Sequence, residues 1–196
     1  MKALIMNVSP QEALNILNGN QIALLRKQIP KGFVGWCYLW VSKAKPTVYW
    51  RYKVRLGNKD YDALGGSINS TIPARFWFDE CKQIKSEVIF NKCSELVYSY
   101  NVFYNDLCLD HKKFEKCIGN EINSIDNISY YNAYAIHIKQ LEIFDKPKEL
   151  NQFKKYISKT IYCGTDCPPY QDEVLVTVAN APKNWQYVYL EGDSDG

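Results

Sequence analysis

A short segment near the start of the chain constrains the fold most, because it encodes a helix, the end of that helix and a following strand. Ser9 can cap the first-turn N–H groups, Pro10 suits the first helical position, and Glu12 completes a capping box. Apolar residues then recur at helical spacing, and Gly19 can adopt the left-handed conformation that ends many helices. We therefore expect a short helix followed by a strand from about Gln21.

Length and composition favour a single domain. A chain of 196 residues, 46% of them hydrophobic, can bury one sizeable core. Residues 57–80 are rich in turn formers and 158–172 contain Gly and Pro, so both ranges are predicted as insertions with loop character. The domain is expected to cover 1–190, and the acidic tail 191–196 is expected to be disordered.

The hydropathy of the chain bears on its localisation. No apolar run approaches the roughly 18 residues that a membrane span needs. The opening Met1–Met6 is too short for a signal peptide, and a capped helix follows it closely. We expect a cytoplasmic protein with no membrane partner.

Cysteine usage bears on metals and disulfides. The chain has seven cysteines, an odd number that favours reduced thiols over a disulfide framework. Cys163 and Cys167 form the one close pair, and zinc would need a second pair of ligands at similar spacing. We interpret this pair as part of a loop and predict neither a metal nor a cofactor.

Charge is distributed unevenly along the sequence. The first sixty residues contain ten basic and two acidic side chains, a net charge of +8, and the remainder of the chain carries −5. Clustered Lys and Arg release counterions from phosphates, which favours binding to a polyanion. The pattern indicates a nucleic acid or nucleotide partner.

Aromatic residues alternate along a predicted strand in this basic half. Trp36, Tyr38 and Trp40 share one face of the strand, and smaller apolar residues share the other. If the aliphatic face is buried, Trp36 and Tyr38 are available to stack on bases. The alternative is that both faces are covered and the aromatics pack in the core, which we favour for Trp40.

A second predicted strand presents basic residues at alternate positions. Arg51 and Lys53, with Arg55, would lie on one face of this strand. Such a face suits phosphate contacts. Positive charge also protects an edge strand from pairing with neighbours, so both interpretations stay open.

The remaining elements follow from local signals. Asp110 is expected to cap a short helix that ends near Gly119. A helical stretch is expected from Leu150 to Ile157, and 120–127 is expected to be a polar connection. Further strands are predicted within 84–103, 130–144, 174–178 and 186–190.

Five segments together resemble one known family. They are Met1–Met6, Leu17–Gly19, Arg26-Lys27-x-x-Pro30, Ile136–Pro147 and Ala181–Val188. The chain resembles the ASCH domain of the PUA-like superfamily, in the branch found in phages and Firmicutes. This resemblance implies an α+β fold, a small mixed β-barrel with flanking short helices.

The family motif, G-x-K-x-x-E-x-R, is altered in this chain. Members that remove the acyl group of N4-acetylcytidine are thought to activate water with a Lys, a Thr and a Glu. Gln21 and Leu24 stand where the motif has its lysine and glutamate, so the groups for acid–base chemistry are missing at these positions. Arg26 is retained and is followed by Lys27, and the resemblance implies that His137 faces the cleft.

The expected function is therefore binding of RNA or a nucleotide without catalysis. Gln21, Arg26 and Lys27 would contact the ligand, and Trp36, Tyr38 and His137 would form the walls around it. One alternative is an enzyme, either an amidohydrolase for N4-acylated cytidine or a ribonuclease, that uses Glu95 or His137. Another is a phage-encoded protein that binds and blocks a host factor.

Overall fold

The computed structural model describes residues 1–56, 59–90, 96–102, 104–125, 128–161 and 170–190, and strands predominate in it. The elements in chain order are β1 (Lys2–Val8), α1 (Pro10–Leu17), β2 (Ala23–Arg26), β3 (Gly35–Val41), β4 (Tyr49–Leu56), β5 (Lys59–Ser67), β6 (Ile72–Phe78), β7 (Cys81–Phe90), β8 (Leu96–Tyr100), a 3₁₀ helix (Tyr104–Leu107), α2 (His111–Ile118), β9 (Glu121–Ile125), β10 (Ile128–His137), β11 (Lys139–Lys148), a second 3₁₀ helix (Leu150–Gln152), β12 (Lys154–Ile161), β13 (Tyr170–Thr177) and β14 (Trp185–Tyr189). The expected sheet-dominated α+β class is confirmed.

The chain divides into two compact units, each built from separate segments. The first unit takes Met1–Pro10, Gly35–Arg75 and the chain from Glu142 onward. The second unit takes Gln11–Val34 and Phe76–Leu141. The expectation of one domain over 1–190 stays a prediction.

A seven-stranded sheet in the order β11-β6-β3-β1-β14-β12-β13 organises the first unit. Its central strand, β1, pairs in parallel with β3 and antiparallel with β14. Ala3 to Met6 are fully buried, which agrees with the continuous apolar sequence of this strand. The core beside it includes Ile5, Tyr38, Phe153 and Val188.

The second unit contains a sheet in the order β2-β10-β7-β8, with β9 also paired to β10. Helix α2 contributes Phe114 and Ile118 to a core that also holds Ile84 and Ala133. Burial of this apolar face stabilises a helix that is otherwise too short to be stable alone.

Two of the three predicted helices are confirmed. Helix α1 begins at Pro10, and Gly19 has a φ of 73°, the left-handed conformation expected after it. The Asp110 side chain accepts a hydrogen bond from the backbone N–H of Lys113 at 2.8 Å, and α2 ends before Gly119, which has a φ of 77°. The strand after α1 begins at Ala23 rather than at Gln21.

The prediction of loop structure for 57–80 was wrong. Strands β5 and β6 occupy most of that range, and Ile72, Ala74 and Phe76 are fully buried. Gly65, Gly66 and Ser67, which suggested a loop, lie at the end of β5, Ser70 lies in the turn before β6, and Gly57 is outside the described residues. Long-range pairing with β3 and β11 outweighs the weak local preference of this segment for turns.

Three smaller expectations also need correction. The polar connection 120–127 contains β9, because pairing with β10 supplies partners for the backbone of an exposed, polar strand. The helical stretch expected from Leu150 reaches only Gln152, and Phe153 then enters the core ahead of β12. The ends of 158–172 lie in β12 and β13, while its middle and the tail 191–196 lie outside the described residues.

Candidate functional site

A pocket in the second unit lies beside α1 and β2 and has a volume of about 410 Å³. Gln21, Arg26 and Lys27, the three residues predicted from the altered motif, all line it. They are close together because α1 turns directly into β2. The remaining lining comes from Glu12, Leu25, Leu107, Leu109, Lys116 and Cys117.

Gln21 is held inside this pocket by the backbone around it. Its side chain is buried, with 4% of the residue exposed, and Nε2 donates to the carbonyl of Ala23 at 2.9 Å. Its backbone N–H donates to the carbonyl of Asn15 at 3.1 Å. The amide is therefore positioned by α1 and β2, and its nitrogen is engaged within the protein.

Arg26 forms an ion pair across the pocket wall. Its Nη1 lies 3.0 Å from Oε1 of Glu12 and 2.7 Å from the carbonyl oxygen of Leu25. The side chains of Arg26 and Glu12 are 11% and 31% exposed. The expected phosphate clamp at Arg26 is thus already bound to a carboxylate, and its charge is balanced locally.

Two lysines supply the positive charge that the ion pair does not cancel. Lys27 and Lys116 are both exposed, and Lys116 reaches the pocket from α2. With Arg26 and Glu12 included, the lining carries a net charge of +2 at pH 7. The sequence reasoning missed Glu12 as a pocket residue and missed Lys116 altogether, because no local pattern connects α2 to the motif.

Tyr38 is not a stacking wall, contrary to expectation. It is fully buried in the first unit, where its ring lies 4.9 Å from the Phe153 ring and 6.1 Å from the Phe144 ring. Both faces of β3 are covered, because Cys37, Leu39 and Val41 on one face are buried as well as Tyr38 and Trp40 on the other. Trp40, at 9% exposure, packs in the same core, as predicted.

Trp36 contacts a cation rather than presenting an open ring. The guanidinium carbon of Arg75 lies 4.1 Å from the centre of the Trp36 ring, within the range of a cation–π contact. Arg75 Nε donates to Oε2 of Glu142 at 2.8 Å, and its Nη1 donates to the hydroxyl of Tyr38 at 3.1 Å. This Arg75 cluster, formed by Trp36, Tyr38, Arg75 and Glu142, therefore uses the two aromatic residues as structural partners.

The charge of Arg75 is stabilised by the same contacts. Burial acts to lower the pKa of Arg75, but the hydrogen bonds to Glu142 and Tyr38 outweigh it and raise the pKa above its ordinary value. The cluster thus contains a permanent cation. Its neighbours hold it in one orientation.

The other predicted site residues are not among those that line the pocket. Arg51 and Lys53 are on β4, in register with Leu64 and Asp62 of β5, and their side chains are outside the described part of the structure. His137 is exposed at the end of β10, opposite Ala23. Glu95, Cys163 and Cys167 also lie outside the described residues.

Metal binding and membrane crossing are two further properties on which the described residues bear. Within them, no group of three or more His, Cys, Asp or Glu side chains is arranged to hold a metal ion. Neither of the α-helices described has the length and hydrophobicity that crossing a bilayer requires.

No protein-family model, curated protein or solved structure matches this chain. The resemblance to the ASCH domain therefore stays a prediction from the motifs.

Proposed function

We propose that this chain binds RNA or a nucleotide in the pocket beside α1 and β2, without converting it. The observation that carries the proposal is the convergence of Gln21, Arg26 and Lys27 with Lys116 around one cavity of about 410 Å³. Three of these residues came from the motif. The fourth adds a cation from a distant part of the chain.

The lining combines two kinds of surface that suit the parts of a nucleotide. Leu25, Leu107 and Leu109 offer an apolar wall against which a base can lie. Lys27 and Lys116 are exposed cations that can contact phosphate oxygens. Pockets for small ligands typically measure roughly 300–1,000 Å³, so this volume fits one nucleotide or the end of a strand better than a long stretch of RNA.

We extend the proposal to the fold family, an ASCH-like member of the PUA-like superfamily with a small mixed β-barrel. The support is the order of elements around the motif. Helix α1 is followed by a left-handed Gly19 and then by β2, and Gln21 and Arg26 at motif positions line a pocket. The dominance of strands is compatible with this assignment.

Binding is tested with labelled single-stranded RNA and with mononucleotides, by fluorescence anisotropy and calorimetry. Lys116→Glu is expected to weaken binding roughly tenfold, because it replaces attraction to phosphate with repulsion. Lys31→Glu is the matched control, since Lys31 is exposed in the same unit and does not line the pocket. Equal effects of the two substitutions, or no binding by the unmodified protein, would contradict the proposal.

A second candidate function is an enzyme, and Glu12 is the observation that favours it. Its carboxylate lines the pocket, where an amidohydrolase or a ribonuclease would need a general base. Incubation with N4-acetylcytidine and with labelled RNA distinguishes the two functions. Turnover that Glu12→Gln or His137→Ala abolishes would replace the binding proposal, whereas unchanged substrates support it.

A protein that blocks a host factor is the third candidate, carried over from the sequence. It would bind a protein partner with little dependence on salt and show no affinity for RNA or nucleotides. The binding titrations above therefore also separate this candidate from the proposal.

A further inference from the structure

Strand β11 ends the seven-stranded sheet of the first unit. Its inner side faces β6, and no strand among the described residues pairs with its outer side. A cavity of about 580 Å³ is lined by the consecutive residues 142–149 of and after this strand, with Gln152. Within the part of the chain that the structure describes, this edge is therefore unpaired, and an unpaired edge offers backbone N–H and C=O groups to another strand.

The charged residues of this edge are of both signs. Proteins commonly block an edge with lysines or with charges that repel an incoming strand. Here both signs occur: Lys139 is followed by two acidic residues, Glu142 and Asp145, and then by two basic ones, Lys146 and Lys148, on either side of Pro147. Ile143, which lies among them, is 44% exposed. Such a mixed edge repels only those strands whose charges match it in sign.

A second copy of β11 is a strand whose charges complement this edge. In an antiparallel pair with its two-fold axis at Phe144, Glu142 lies opposite the partner's Lys146, and Lys146 lies opposite the partner's Glu142. Ile143 then faces the partner's Asp145, and no two like charges are opposed. Two opposite-charge pairs and a central aromatic pair are the cross-strand neighbours that stabilise a sheet.

The neighbouring registers lack this complementarity. A two-fold axis at Glu142, Asp145 or Lys146 places that residue opposite its own copy, so that like charges meet. An axis between two consecutive residues would oppose side chains that point to different faces of the sheet, so it does not give an antiparallel register. An axis at Ile143 itself forms no opposite-charge pair. The sequence of the strand therefore selects the register centred on Phe144.

Existing contacts leave this pairing available. Glu142 binds Arg75 through Oε2 and keeps a side chain that is 47% exposed, and Lys146 is exposed. Phe144 is half-buried against Tyr38 and stays in place as the central residue. Association through one strand from each protomer needs no rearrangement of the Arg75 cluster.

We infer that two copies of this chain associate through β11, antiparallel and centred on Phe144, and so continue the seven-stranded sheet across a two-fold axis. The contact is restricted to one strand from each protomer, so it buries less area than a standard interface and the dimer is weak. A dissociation constant on the order of 10–100 µM is expected for such a small interface.

Sedimentation velocity from micromolar to millimolar concentration tests this inference. The mass is expected to rise from 22.8 kDa towards twice that value as concentration increases. Glu142→Lys and Lys146→Glu are each expected to remain monomeric, because each opposes like charges across the axis. An equimolar mixture of the two variants is expected to dimerise, since opposite charges then meet again.

The mixture separates loss of the interface from loss of folding. Lys146→Glu changes an exposed residue, so it tests the interface even if Glu142→Lys disturbs Arg75. Lys112→Glu on α2 is the matched control and should dimerise as the unmodified chain does. A monomer at all concentrations, single variants that dimerise normally, or a mixture of folded variants that stays monomeric would overturn the inference.

Discussion

Arg26 at the end of β2 donates to Glu12 in the first turn of α1, with 3.0 Å between Nη1 and Oε1. The pair joins residues that are 14 positions apart and forms part of the wall of the candidate pocket. It connects the stability of the helix-to-strand segment to the charge that a ligand would meet. Breaking the ion pair is therefore expected to raise the affinity for an anionic ligand and to lower the stability of the fold.

Glu12→Gln is expected to raise the affinity for RNA or mononucleotides while lowering stability. The substitution raises the net charge of the lining from +2 to +3 and releases Arg26 for phosphate. A gain of about 1 kcal/mol, roughly fivefold in affinity, corresponds to one exposed charge pair at contact distance. The free energy of unfolding should fall by about 1 kcal/mol or less. Calorimetric titration and urea unfolding measure the two quantities, and Glu87→Gln, on an exposed residue of β7, is the control.

The salt dependence of binding is expected to report how many lysines contact phosphate. We consider a plot of the logarithm of the binding constant against the logarithm of the salt concentration, for single-stranded RNA. If Lys27 and Lys116 each contact one phosphate, its slope is expected to be about −1.4. Lys116→Glu should reduce the magnitude of the slope by about 0.7, and Lys31→Glu should leave it unchanged. Titrations at several salt concentrations measure the slopes. A slope near zero for the unmodified protein would show that phosphate contacts do not contribute.

Removal of the Arg75 side chain is expected to destabilise the first unit. Arg75→Ala removes the hydrogen bonds to Glu142 and Tyr38 and the contact with Trp36, and it leaves the Tyr38 hydroxyl without this donor. The free energy of unfolding should fall by about 2–3 kcal/mol. Arg75→Lys keeps the charge but not the forked geometry and should cost less. Urea unfolding measures both, and Lys82→Ala, at an exposed ion pair with Glu80, is expected to change stability by less than about 0.5 kcal/mol.

Phe153 is expected to be among the most sensitive positions of the first core. Its side chain is fully buried, and its ring meets the Tyr38 ring edge-on at 4.9 Å. Phe153→Ala should lower the free energy of unfolding by about 3–5 kcal/mol, because it leaves a cavity beside Tyr38. Ile157→Ala, four residues later on β12 and 40% exposed, should cost less than about 1 kcal/mol. Equal losses in denaturant unfolding would contradict this placement of the core.

The cap of α2 is expected to stabilise the protein in a pH-dependent way. The hydrogen bond that the backbone N–H of Lys113 donates to Asp110 is the main cause that lowers the pKa of this carboxyl. A hydrogen bond from the Lys113 side chain lowers the pKa further. A carboxyl whose pKa is lower when folded contributes stability above its unfolded pKa of about 3.9, and loses that contribution as the pH falls through the folded value. Asp110→Ala should therefore lower the melting temperature at pH 7 but have a smaller effect near pH 2.

Asp110→Asn provides the control for charge. Asparagine retains a side-chain oxygen that can accept the capping hydrogen bond but does not titrate. Its melting temperature should lie between those of the unmodified protein and Asp110→Ala at pH 7. An effect of Asp110→Ala that is the same at both pH values would contradict the role of the charged cap.

The sequence predicted features that depend on neighbouring residues. Pro10 and Gly19 mark α1 because helix starts and left-handed ends have local chemical causes, and Asp110 with Gly119 marks α2 for the same reasons. Placing Gln21, Arg26 and Lys27 at one site followed from their closeness in the chain.

Features that depend on distant residues were not predicted. Ile72 and Phe76 lie in a buried strand because β3 and β11 flank it, and turn-forming neighbours conceal this in the sequence. The alternation at Tyr38 indicated a strand but could not show that both of its faces are covered. Lys116 joins the pocket only through the packing of α2, so no spacing in the sequence relates it to Arg26.

The pairing of β1 with β14 affects how the protein can assemble during translation. Lys2 lies in register with Tyr189, so the central strand of the first unit gains its second neighbour only after residue 189 has been synthesised. Segments of the second unit, which ends at Leu141, leave the ribosome earlier. Until β14 has been synthesised, one edge of the apolar strand β1 stays unpaired and prone to aggregation. We expect chaperones to bind the nascent chain at this edge.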